Sequence, residues 1–112
     1  MRRDVVVAEE NETLVGFLVV ATVAGEAEIE SIGVRSEFQR RGIGEELLRA
    51  LVGFCEARGV GRIQLEVRES NERAIGFYLA RGFAAEGRRA GYYEGRNDGG
   101  PTEDAVLFSR AV

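Results

Sequence analysis

The chain predicts an α/β (α+β) layer fold: a mixed, mostly antiparallel sheet with one parallel βαβ crossover. Three observations carry this. The first third of the chain is a series of β-rich runs separated by short polar turns. A helical apolar spacing takes over at Gly42, and a strictly alternating run follows from Arg62 to Arg68. Strands joined by two or three turn residues pair antiparallel, whereas a strand, a helix of about 17 residues and another strand need a right-handed parallel crossover. With 112 residues and 45% apolar content, residues 1–112 are expected to form a single domain.

Taken in order, Val5 to Glu9 is β-rich and stops at the polar Glu10-Asn11-Glu12, a turn signal. Thr13 to Val23 resumes the pattern as the second arm of a hairpin, and Ala24-Gly25-Glu26 makes the next turn. Glu28 to Val34 is the third strand; Glu30 and Ile32 share a parity, which places a bulge near Ser31. From Gly42, the residues Ile43, Leu47, Leu48, Leu51, Phe54 and Cys55 recur at helical spacing, and Gly59 supplies the stop. Ile63, Leu65 and Val67 fall on one face of the fourth strand, with Gln64, Glu66 and Arg68 on the other. Asn71 caps a second helix carrying Ala74, Ile75, Tyr78 and Leu79, and Gly82 ends it. Two antiparallel strands, Phe83 to Arg89 and Asp104 to Arg110, close the chain around a Gly-rich run from Gly95 to Pro101 that reads as a mobile loop.

Absences narrow the chemistry. The 15 basic residues are all Arg against 19 acidic ones, for a net charge of −4, and there is no His. That excludes a Ser-His-Asp triad, a Cys-His pair and a His-ligated zinc site. Without Lys there is no Schiff-base chemistry and no Walker phosphate loop. The acidic balance argues against a nucleic-acid partner. Cys55 is the single Cys, on the apolar helical face, and reads as core. The longest apolar run, Leu14 to Gly25, has twelve residues, short of the roughly 20 of a membrane span. No membrane partner and a cytoplasmic location are expected.

Ligands of such sheets gather at the carboxyl ends of parallel strands, here Val34 and Arg68. Between Val34 and the helix lies Arg35-Ser36-Glu37-Phe38-Gln39-Arg40-Arg41-Gly42-Ile43-Gly44. Two glycines at a helix start let backbone approach a ligand, and free amides with the positive dipole end suit a phosphate. On spacing alone, these glycines fit a tight turn flanked by solvated arginines equally well.

The pattern Gln39-x-x-Gly42-x-Gly44 after a strand resembles the pyrophosphate loop of the GNAT superfamily of acyl-coenzyme A-dependent N-acetyltransferases. Leu65-Glu66-Val67-Arg68-Glu69-Ser70-Asn71, Ala74-Ile75-Gly76-Phe77-Tyr78 and Arg81-Gly82-Phe83 resemble the family's next strand, helix and turn. Tyr92-Tyr93 and Glu103-Asp104-Ala105 resemble its ribosomal-protein alanine N-acetyltransferase (RimI-like) branch; about 85 residues match, from Glu26 onward. The family begins with one more strand and two helices, so this chain starts near its second strand.

The resemblance implies acetyl-CoA as cosubstrate, no metal, and a set of roles. Ile32, Gly33 and Val34 offer backbone to the pantetheine arm and thioester carbonyl. Arg40, Arg41, Gly42, Ile43, Gly44 and Glu45 wrap the pyrophosphate, and Asn71 and Tyr78 lie near the sulfur arm. Glu66 matches the general base and Tyr78 the general acid. Tyr92 and Tyr93 order the acceptor or pack at a strand edge. The chemistry is consistent: a carboxylate takes the proton that a protonated amine must lose before it attacks a thioester. An ordinary tyrosine, near 10, can protonate a thiolate, near 8.5, without a large shift.

The activity so implied is transfer of acetyl to a primary amine, foremost the N-terminal α-amine of a protein such as a ribosomal protein. Two alternatives stay open: a GNAT enzyme for a small amine or amino acid, and a non-catalytic acyl-CoA-binding module. A further subunit covering the exposed sheet edge would make a homodimer. Dinucleotide binding fits poorly, because Leu47 stands where the Rossmann fingerprint has its third glycine.

Overall fold

Short polar turns and the bulge potential of the opening strands set the topology of the computed structural model, which describes residues 1–93 and 102–112. The elements are β1 (Arg2–Glu10), β2 (Thr13–Val23), β3 (Glu26–Val34), α1 (Ile43–Ala57), β4 (Arg62–Arg68), α2 (Glu72–Ala80), β5 (Ala84–Tyr93) and β6 (Glu103–Ala111). The strand order is β1-β2-β3-β4-β6-β5, antiparallel except for β3 with β4. The mixed sheet with one βαβ crossover is therefore the observed fold class. The Gly-rich run from Gly95 to Pro101, expected as a mobile loop, lies outside the described residues.

The chain divides into two compact units, Met1–Ile63 with Ala111–Val112, and Gln64–Arg110. In the first, both hairpin turns are two-residue connections with left-handed backbone: Asn11 and Glu12 have φ of 51° and 66°, and Ala24 and Gly25 have 51° and 80°. Such turns match the right-handed twist of the strands they join. Val19 pairs with Ser31 but Val20 with Ile29, so Glu30 is the extra residue of a bulge, beside the position its parity indicated. Glu30 there accepts from Arg3 Nε at 2.8 Å. The ladder with β2 carries β1 on to Arg2, opposite Thr22, past the apolar run starting at Val5.

One face of this sheet carries Val6, Leu18, Val20 and Ile32, which the pairing register aligns. Against this unit pack Ile43, Leu47, Leu48, Leu51 and Cys55 of α1, all buried. Cys55 is core, as expected. The helix ends in a Schellman arrangement: the Gly59 amide donates to Glu56 O at 3.4 Å and the Val60 amide to Cys55 O at 2.9 Å. The opposite face bears Val5, Val7 and Phe17, which are exposed.

The second unit is built on β4, whose Leu65 and Val67 are buried with Phe83, Ala105, Val106 and Phe108. Helix α2 buries Tyr78 but leaves Leu79 51% exposed, so the expected apolar face is narrower than its spacing suggested. With nine residues the helix has room for one inward stripe. Among the described residues, no helix is long and apolar enough to cross a membrane.

Leu51 is fully buried at 0% exposure. Leu51→Ala is expected to lower the unfolding free energy by about 2–5 kcal/mol. Urea denaturation monitored by circular dichroism measures this as a lower midpoint at unchanged slope.

Candidate active site

In the first unit, the residues expected to hold the cosubstrate form one continuous piece of backbone. Ile32, Gly33 and Val34 end β3, paired with Leu18, Phe17 and Gly16 of β2. A Cβ on Gly33 would lie 2.5 Å from Phe17 Cε1, so only glycine lets that ring cross the strand. A single 3₁₀ turn, Ser36–Phe38, follows and was not foreseen from the spacing. Gln39 Nε2 reaches back to Val34 O at 3.1 Å and ties the loop to the strand end.

Arg40 then turns the chain with φ 64° and Gly42 with φ 80°. Gly42 is the N-cap, and no side chain caps the first turn of α1. The first intrahelical bond is donated by the Glu46 amide to Gly42 O at 3.0 Å. The amides of Ile43 and Gly44 therefore have no acceptor within the helix. A Cβ at Gly42 would meet nothing within 4 Å, so the mouth of the helix is open around it. Arg40 is exposed, and the Arg41 guanidinium carbon lies 5.1 Å from the Phe38 ring centroid. Glu45, also expected here, is one helical turn before Arg49 and pairs with it at 3.5 Å. Open amides, a positive dipole end and two arginines make a fitting cradle for a diphosphate.

The second unit holds the remaining candidates. Glu66 lies on β4 on the face opposite Leu65 and Val67, yet it is not a solvated side chain: only 16% of it is exposed, and its Oε1 lies 3.0 Å from Arg89 Nη2. Asn71 caps α2 by accepting from the Ala74 amide at 3.2 Å. Its carboxamide NH₂ faces no such demand from the helix.

Tyr78 sits at the end of α2, 4% exposed. The Phe83 amide donates to Tyr78 O at 3.1 Å and the Gly82 amide to Leu79 O at 3.3 Å, a second Schellman closure. The same closure brings the Phe83 ring edge-on to Tyr78, with centroids 5.2 Å apart, while Phe77 meets it at 5.1 Å. Burial pushes the Tyr78 hydroxyl up to about 12. The expectation that Tyr78 needs no large shift is corrected here: the aromatic walls strip water from the phenolate and leave the neutral form favoured.

Tyr92 is 52% exposed, and its ring centroid lies 5.2 Å from the Arg89 guanidinium carbon. Tyr93 closes β5 in register with Glu103. Glu66, Arg89 and Tyr92 are thus linked, and Arg89 is the member that motif reasoning did not single out. Around them runs an ion-pair lattice that was also missed. Arg88 Nη1 bridges Glu69 Oε2 at 2.7 Å and Asp104 Oδ2 at 3.0 Å, and Arg68 meets Glu103 at 3.1 Å. The Gly91 amide, ahead of the Arg88 guanidinium, holds Asp104 below the usual carboxylate range. Hydrogen bonds from Ser70, ahead of Arg68, do the same for Glu103.

The fold is that of the acyl-coenzyme A-dependent N-acetyltransferases. The acetyltransferase (GNAT) family pattern matches residues 2–83. The chain belongs to that family and is an acetyl-CoA-dependent N-acetyltransferase. It is 38% identical over 103 residues to the ribosomal protein bS18-alanine N-acetyltransferase of Escherichia coli K12, covering 92% of this chain and 68% of that protein. Its identity to the N-alpha-acetyltransferase RimI of Mycobacterium tuberculosis is 42% over 90 residues, covering 77% of this chain and 55% of the relative. The crystal structure of the ribosomal-protein-S18-alanine N-acetyltransferase from Escherichia coli superposes with a TM-score of 0.89 at 32% identity, covering 99% of this chain and 70% of that one.

The depressed carboxylates set an acid limit. Unfolded carboxylates titrate near about 4. The stabilisation from Asp104 and Glu103 is complete above that value and is lost as pH falls through their lower folded values. Hydrogen exchange is expected to show the Gly91 amide losing protection in that acid window, and Asp104→Ala losing it already at neutral pH. On the alkaline side, ultraviolet titration is expected to show one tyrosine ionising only near about 12. Stability falls between the ordinary tyrosine value, about 10, and that point, because the unfolded chain releases its proton first.

Proposed function

We propose that the chain, acting as a single acetyltransferase domain, moves acetyl from acetyl-CoA to the N-terminal α-amine of a protein, with an alanine-ended ribosomal protein as the foremost acceptor. The observation that carries the acceptor is the 38% identity to a ribosomal protein bS18-alanine N-acetyltransferase across 92% of this chain. Acetyl-CoA supplies an activated thioester. The chain supplies the rest.

The open mouth of α1, with Arg40 and Arg41, binds the diphosphate, and the β3 end from Ile32 to Val34 offers backbone groups along the pantetheine arm. A backbone N–H near Val34 donates to the oxyanion as the amine adds. Glu66 accepts the proton that the ammonium must lose, and the Arg89 contact fixes which carboxylate oxygen remains available. Tyr78 keeps its proton at every working pH and donates a hydrogen bond to the departing sulfur. Full transfer from a group near 12 to a thiolate of ordinary value, about 8.5, is uphill by about 5 kcal/mol. Tyr78 therefore works by hydrogen bonding as charge builds on sulfur, and the proton is completed from solvent. Tyr92 and Tyr93 order the acceptor's first residues. A cytoplasmic setting follows from a ribosomal acceptor.

Mass spectrometry of acetyl transfer to an alanine-ended peptide, run against free small amines, tests the assignment. Transfer to the peptide in preference to the amines is the expected result; the reverse preference moves the enzyme to small amines. Glu66→Gln is expected to lower kcat by at least about 100-fold. Tyr78→Phe is expected to lower it by a smaller factor, about 10-fold, since it removes a hydrogen bond rather than a transferred proton. Calorimetric uptake of acetyl-CoA by both variants, equal to that of the wild type, separates lost chemistry from lost binding.

A further inference from the structure

Building on Glu66 as the proposed base, we infer that Arg89 is a positioning residue that aims the Glu66 carboxylate and couples it to Tyr92. Its two contacts are the 3.0 Å ion pair with Glu66 Oε1 and the 5.2 Å approach of its guanidinium to the Tyr92 ring. The carboxylate is enclosed, whereas the arginine side chain is 56% exposed.

The backbone is shaped for this contact. Residues 89 and 92, three apart, would project to opposite faces of a regular strand. In β5 they do not, because Arg89 pairs with Ala105 and Tyr93 with Glu103, so four steps on β5 oppose two on β6. Two extra residues are looped out, with Gly91 at φ 60° and its amide bound to Asp104 Oδ1 at 2.8 Å. Arg88 holds the other Asp104 oxygen at 3.0 Å. The looped-out pair returns the Tyr92 ring over Arg89. Ala105, opposite Arg89, is small enough for the guanidinium to pass over β6 and reach Glu66 on β4.

The guanidinium holds Oε1 and leaves Oε2 to the acceptor. An acceptor ammonium seated at Tyr92 meets Oε2 while the ring keeps Arg89 on Oε1. The carboxylate then takes one proton from the ammonium: an N–H bond breaks, an O–H bond forms, and Arg89 stays charged throughout.

Steady-state kinetics with acetyl-CoA and an alanine-ended peptide test this in Arg89→Gln, Arg89→Lys and Tyr92→Leu, with thermal melting to confirm folding. Arg89→Gln is expected to lower kcat about 10-fold with the acetyl-CoA KM unchanged, and Arg89→Lys to recover part of the loss. The double variant with Tyr92→Leu is expected to be no slower than Arg89→Gln alone, since coupled residues are not additive. Should Arg89→Gln melt early, the Arg89→Lys and Tyr92→Leu pair and their double variant read the same coupling. An active wild type with kcat unmoved by Arg89→Gln, or with strictly additive losses, overturns the role of Arg89 alone. A wild type that transfers no acetyl overturns the proposed function and this role together.

Discussion

The first turn of α1 rests on bare backbone at Gly16. A Cβ there would lie 3.1 Å from Gly33 O, 3.1 Å from Ile43 Cγ2 and 3.3 Å from a Leu47 methyl. Such spacing is already at the limit of close packing, so a side chain at Gly16 would make its neighbours on the helix and on β3 give way by a few tenths of an ångström. Everything that makes the helix mouth useful depends on this approach. The β3 end is tied to the loop by Gln39, the chain reverses through Arg40 and Gly42, and Ile43 drops into contact with β2. The proposed diphosphate cradle is thus a consequence of packing: two apolar side chains pressed against a glycine fix where the amides point.

The other unit relies on charge where this one relies on close contact. At both sheet edges, an arginine reaches over an alanine in the neighbouring strand to a glutamate in the strand beyond. Arg3 pairs with Ala21 across the register and bonds Glu30; Arg89 pairs with Ala105 and bonds Glu66. Edge strands are exposed to unwanted pairing, and long charged side chains laid across them discourage it. The first instance secures a bulge in β3. In the second, the same arrangement falls on Glu66, the proposed base.

Local pattern made much of this legible. The strict alternation of Ile63, Leu65 and Val67 marked β4 from Arg62 to Arg68, its observed bounds, and the polar turns delimited β2 from Thr13 to Val23. Parity at Glu30 and Ile32 located the β3 bulge, and the glycines located the start and end of α1. What escaped depends on neighbours distant in sequence. The placing of β6 between β4 and β5 is one such case, and the lattice around Arg88 and the Arg89–Glu66 pair join residues 16 to 35 positions apart, which no spacing rule connects. The raised value of the Tyr78 hydroxyl likewise comes from burial, with Phe77 and Phe83 packed edge-on to its ring, which a motif match does not reveal.

Each cation in these networks is a guanidinium, since the chain has no lysine. An ε-amine at position 88 or 89 would carry charge only while protonated, and in its neutral fraction would be a nucleophile within the protein that binds acyl thioesters. Guanidinium stays charged at all accessible pH and does not attack a carbonyl. The lattice that supports the Gly91 excursion is therefore inert toward the acyl donor, and self-acylation cannot neutralise the charges that hold it together.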